Sequence, residues 1–103
     1  MVIIQAKVKL MDRRKVLKII VARLKKEGAK RIALFGSYSR GEERKDSDVD
    51  IIVEFSKPKS LLEFVGIEQE LSEKTGKKID LLTENSISPY LIDRVKKEMV
   101  DIT

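Results

Sequence analysis

Two aspartates one residue apart, Asp48 and Asp50, open a stretch that otherwise reads as a buried strand, Val49-Asp50-Ile51-Ile52-Val53. Aspartate is a poor strand former, and a desolvated carboxylate is costly unless something neutralises it. In an extended strand, residues two apart point the same way, separated by roughly 6.5 Å along the chain. Both carboxylates therefore project from one face while Val49 and Ile51 pack on the other. Two carboxylates on one side repel each other unless a cation lies between or beside them. The sequence has no histidine and no cysteine, so magnesium, a hard ion that takes oxygen ligands, is the natural candidate. The alternative is a strand-end charge pair facing water, and what flanks the pair favours the cation.

Asp80 repeats the anomaly as a lone acid inside Lys78-Ile79-Asp80-Leu81-Leu82. If its strand lies beside that of Asp50, the three carboxylates can form one site for two metal ions. Taken alone, Asp80 reads as an exposed edge residue. Glu54 and Glu84 stand at strand ends, where a solvated charge is ordinary.

Ahead of the pair runs Gly36-Ser37-Tyr38-Ser39-Arg40-Gly41. A glycine at the end of a strand lets a ligand approach the backbone closely, and Ser37 is placed to open a short helix. Free amides there, with the serine hydroxyl, suit a phosphate. Arg40 either adds positive charge or faces solvent. A tight strand-to-helix turn with a capping serine accounts for the loop equally well. Gly36 and Gly41 have the spacing of a P-loop, but Glu42-Glu43 stands where Lys-Ser/Thr is required, and no G-x-G-x-x-G occurs. Such a phosphate grip brings no lysine, so metals at Asp48 and Asp50 would have to carry the charge.

The elements that must position these groups are legible from periodicity. Asp12 is a helix N-cap, followed by Val16, Leu17, Ile20, Val21 and Leu24 at helical spacing and by the stop Gly28. Arg31 to Phe35 reads as a buried strand ending at Gly36, and Val49 to Phe55 as a second. Ser60 and Glu63 form a capping box for a helix that Gly76 closes. Lys78 to Thr83 reads as a third strand. Ser88 and Pro89 then open a last helix with Leu91, Val95 and Met99 on one face. The short first connection predicts an antiparallel pair, and the helix between the second and third strands predicts a crossover. The fold class is α/β (α+β), a small mixed β-sheet flanked by helices. Before all this, Val2 to Leu10 alternates apolar and polar residues, as an edge strand that could pair with a second copy of the chain.

At 103 residues the chain is expected to be a single domain spanning 1–103. With no run near the roughly 20 apolar residues of a membrane span, and a start unlike a signal peptide, a cytoplasmic protein without membrane contact is expected. Lacking imidazole and thiol, it excludes zinc sites of the usual ligands and every base or nucleophile of those types. The net charge of +5 is spread among glutamates and reads as an ion-pair-rich surface rather than a nucleic-acid face.

Gly36-Ser37, Gly41 and Ser47-Asp48-x-Asp50, taken together, resemble the GS-x(n)-D-x-D signature of the polymerase-beta-like nucleotidyltransferases. The short length, the wording SDVDIIVEF and the strand IDLLTE resemble its minimal nucleotidyltransferase (MNT) family, the antitoxin partners of HEPN-domain toxins. The resemblance covers about Ile32 to Met99 and leaves out the N-terminal alternating segment. It implies the polymerase-beta-like fold and an ATP held with two magnesium ions. Asp48 and Asp50 would hold both metals, and Asp80 would bind the catalytic metal and help deprotonate the acceptor. Gly36 and Ser37 would grip the triphosphate tail, with Arg40, Gly41 and Ser47 as further nucleotide-binding positions. An acceptor hydroxyl would attack the α-phosphorus in line, and pyrophosphate would leave.

A chain this short has no room for an acceptor-binding domain, so the hydroxyl must arrive on a separate molecule. In the resembled family that molecule is a HEPN protein modified on a tyrosine. The leading expectation is therefore an antitoxin that acts by AMPylation. Two other readings stand beside it: a non-catalytic module that occludes its partner, and a small-molecule nucleotidyltransferase served by a separate substrate-binding subunit. Direct nucleic-acid binding is disfavoured, because nothing here could grip a duplex.

Overall fold

A computed structural model describes residues 12–103. The alternating segment Val2 to Leu10, with its expected pairing to a second copy, lies outside the described residues. The elements are α1 (Arg13–Lys26), β1 (Ala29–Phe35), a short α2 (Ser37–Arg40), β2 (Val49–Phe55), α3 (Leu61–Thr75), β3 (Ile79–Leu82), a 3-10 turn (Glu84–Ser86), α4 (Pro89–Glu98) and β4 (Val100–Asp101).

The caps do what their residue types dictate. The Asp12 carboxylate accepts a hydrogen bond from the Lys15 amide at 2.9 Å. Ser60 and Glu63 exchange side-chain and backbone hydrogen bonds as a capping box, and Gly76 ends that helix in the left-handed region at φ 67°. Ser88 caps α4, with proline in its first turn.

The sheet is ordered β3-β2-β1-β4. β1 runs antiparallel to β2, and β2 runs parallel to β3 with α3 as the crossover, as the connection lengths require. One face carries Ile32, Leu34, Val49, Ile51, Val53, Ile79 and Leu81 into a core with Val16, Ile20 and Leu24 of α1 and Ile67 and Leu71 of α3. Arg23 ties the two helices together, bonding Glu70 across the gap and Glu27 on its own helix. Alternation then forces Asp50 and Ile52 of β2 onto the opposite face.

Two features depart from expectation. β4 is an added antiparallel strand on β1, pairing Ala33 with Asp101 and Leu34 with Val100. It is fastened by Thr103, whose Oγ1 accepts from the Ile32 amide at 2.8 Å and donates to the Ile32 carbonyl at 3.2 Å. The last helix exists, but none of its residues is buried, and Leu91 is 53% exposed. α1 and α3 already cover the core face, so α4 has no core position left to fill.

Candidate active site

The strand registers bring the acids together. Asp50 stands opposite Phe35 of β1 on one side and opposite Asp80 of β3 on the other. The next inward row on that face is apolar, with Ile52 between Ala33 and Leu82. One end of the sheet therefore holds carboxylates, and a hydrophobic floor begins roughly 6.5 Å further along.

Gly36 lies directly against this acid row. Its φ of 72° and ψ of −152° fall where side chains other than hydrogen are rarely tolerated. A Cβ built there would overlap Asp50 Oδ2. Glycine is thus required twice, by the backbone conformation and by the carboxylate beside it. The strand turns at Gly36 into α2, whose first residue is Ser37 and whose N-cap supplies no capping side chain. First-turn amides left this way must find water or a ligand. Ser39 Oγ donates to the Gly36 carbonyl at 2.7 Å and fixes the turn.

Tyr38, which the sequence did not single out, anchors this loop. It is 2% exposed and belongs to the core cluster, and the Arg13 guanidinium lies 5.6 Å from its ring centroid while bonding Glu43 at 2.6 Å. The signal available beforehand was a lone aromatic between two serines. Burial pushes the Tyr38 hydroxyl above its ordinary range, with Glu43 adding to the shift.

The acids are electrostatically crowded. Asp50 is pushed up to about 6, first by burial, then by the Asp80 carboxylate within hydrogen-bonding reach, then by Asp48. Lys78 opposes the shift, with its Nζ 4.0 Å from Asp48 Oδ2. Lys78 stands two residues before Asp80, just ahead of β3, and that period-two spacing is its signal in the sequence. Asp48 itself lies just ahead of β2, with its side chain 46% exposed.

Three further candidates occupy structural positions. The Arg40 guanidinium pairs with Glu42 at 2.6 Å and approaches Glu98 at 3.8 Å. Gly41 closes α2 in the left-handed region at φ 69°. Ser47 Oγ accepts from the Arg44 amide at 2.7 Å and shapes the turn into β2. So Gly36, Ser37, Asp48, Asp50 and Asp80 gather at one end of the sheet, while Arg40, Gly41 and Ser47 are engaged in the connecting turns. A pocket of about 540 Å³ lies further along the sheet, lined by Ala33, Ile52, Phe55, Phe64 and Met99 with the charged Arg31, Glu54, Lys59 and Glu84, and none of the candidate site residues lines it.

A hard divalent cation fits this donor set. The carboxylates crowd one another, and positive charge among them would relieve the repulsion that raises Asp50. Among the described residues, no three acidic side chains already converge as a complete cage for an ion. Magnesium suits such a partial set, because it is usually held by one or two carboxylates together with substrate phosphates.

Comparison with known proteins shows the family. The nucleotidyltransferase domain family matches residues 13–102. A Methanocaldococcus jannaschii protein, provisionally named a protein adenylyltransferase, is 51% identical over 83 residues, covering 81% of this chain and 89% of the relative. The protein adenylyltransferase MntA of Thermococcus cleftensis is 41% identical over 73 residues, covering 71% of this chain and 74% of the relative. A toxin–antitoxin crystal structure with AMP-PNP superposes with a TM-score of 0.75 at 26% identity, covering 84% of this chain and 72% of that one. The chain belongs to the nucleotidyltransferase family, among its minimal nucleotidyltransferases. Its mixed sheet flanked by helices is the polymerase-beta-like fold of that family, and it is a nucleotidyltransferase.

Proposed function

We propose that this chain moves AMP from ATP to a tyrosine hydroxyl of a separately encoded HEPN toxin, and so acts as an antitoxin. The observation that carries the reading is the placement of Gly36 against Asp50 and of Asp50 opposite Asp80, which sets the glycine turn beside a facing pair of carboxylates. Support also comes from the names of the relatives and from AMP-PNP in the toxin–antitoxin neighbour.

In this reading the open amides after Gly36 and the Ser37 hydroxyl hold the triphosphate tail, which places the α-phosphate beside Asp50. Asp48 and Asp50 would hold two magnesium ions, with Asp80 as a further ligand to one of them. Bound magnesium supplies charge neutralisation of the triphosphate and of the developing pyrophosphate. The acceptor oxygen forms its bond to the α-phosphorus, the bond from that phosphorus to the bridging oxygen of pyrophosphate breaks, and the acceptor proton passes to the carboxylate pair. Among the described residues no helix is long and apolar enough to cross a membrane, so the partner is met without a membrane-spanning helix from this part of the chain.

Co-expression with the toxin tests the reading against simple occlusion. A variant carrying Asp48→Asn and Asp50→Asn should bind the toxin yet lose protection of the cell. Full protection by that variant would show that covering the partner is enough.

A further inference from the structure

Asp80 is carried by the outermost strand of the sheet, and that strand is four residues long. So short an edge strand gains little from a single ladder. Its register also sets Asp80 opposite Asp50, where like charges push the two strands apart. Something else must hold it.

The outer amides of β3 have partners. Leu81 N–H donates to Glu68 Oε2 at 2.8 Å, and Ile79 N–H donates to Ser72 Oγ at 3.1 Å. Both acceptors stand on α3, one helical turn apart, and their bonds bracket Asp80 on either side. The Ser72 hydroxyl in turn donates to the Glu68 backbone carbonyl at 3.0 Å, which orients its lone pairs toward Ile79. Glu68 makes no salt bridge among the described residues, so its carboxylate is committed to the strand edge rather than to a cation. A charged acceptor on a backbone amide is also a stronger bond than a neutral one.

We propose that Glu68 and Ser72 are positioning residues that clamp the outer edge of β3 and keep Asp80 beside Asp50 against their mutual repulsion. The clamp itself is a property of the strand; its consequence for catalysis rests on the nucleotidyl-transfer reading above. Filling the edge amides also closes β3 to pairing with foreign strands.

Two readouts test the clamp, hydrogen exchange on the purified full-length protein alone and AMP transfer with the proposed HEPN acceptor added. Amide hydrogen exchange reports the strand without any substrate: in Glu68→Ala, Leu81 should exchange faster while Ile51 keeps its protection. AMP transfer from ATP should fall about 10- to 100-fold through kcat, the usual scale for losing an outer-shell support, with KM for ATP little changed. Glu68→Gln keeps an acceptor oxygen and should recover most of both. Unchanged Leu81 exchange in Glu68→Ala would overturn the clamp, whatever the activity shows. Faster exchange with wild-type kcat would overturn its role in positioning Asp80. If Glu68→Ala does not fold, Ser72→Ala removes only the Ile79 acceptor; Ile79 should then exchange faster and kcat fall, and unchanged Ile79 exchange or wild-type kcat overturns the same two points. Wild-type protein that transfers no AMP would count against the proposed function, while the exchange arm would still decide the clamp.

Discussion

Asp50 and Asp80 face each other across the parallel pair of β2 and β3, their carboxyl groups within hydrogen-bonding reach, and Asp50 is pushed up to about 6. Without a cation this arrangement opposes folding at neutral pH. A carboxyl raised in the folded state binds more protons there than in the unfolded chain, so its contribution is favourable at low pH and is lost as pH rises through about 6.

Asp50→Asn should therefore raise Tm in the presence of chelator at pH 7. The two proteins should converge as pH falls toward the ordinary aspartate range. Magnesium with ATP should then stabilise wild type more than the variant. Thermal melts across pH with and without magnesium check this, and a variant less stable than wild type in chelator at pH 7 would contradict it.

Gly36→Ala meets both a backbone conformation reserved for glycine and the Asp50 carboxylate. It should cost about 1–3 kcal/mol from the backbone alone. Nucleotide binding should weaken further than that loss of stability explains, because the turn and Asp50 must move apart. Urea unfolding and isothermal titration with ATP separate the two effects.

Ile51 is fully buried beneath the acid row, on the face that meets α1 and α3. Ile51→Ala should destabilise by about 2–5 kcal/mol. Its amide and carbonyl remain in the ladder, so activity per folded molecule should fall far less than in Asp50→Asn.

Much of the candidate site's placement was legible in the sequence, for a physical reason. Asp50 and Asp80 violate strand chemistry locally, Asp48 stands just ahead of the same strand as Asp50, and Gly36 and Ser37 punctuate a strand end, so each announces itself within a few residues. Caps at Asp12, Ser60 and Ser88 are equally local. What stayed hidden depends on partners distant in the chain. The two-residue β4 has no period to read and is held by Thr103 against Ile32. The acceptor roles of Glu68 and Ser72 look like ordinary polar positions on a helix until β3 is laid against them. Arg40 carried the right charge for a phosphate, but nothing local shows that Glu42 and Glu98 would claim it.

The central claim is that the acid row at Asp48, Asp50 and Asp80 transfers a nucleotide. The most direct measurement incubates the chain and the proposed HEPN partner with magnesium and ATP labelled at the α-phosphate, then follows label on the partner protein. Wild type should place label on a partner tyrosine, and the Asp48→Asn, Asp50→Asn variant should place none while still binding the partner. A partner that stays unlabelled with wild type, or is labelled equally by the variant, would contradict the account.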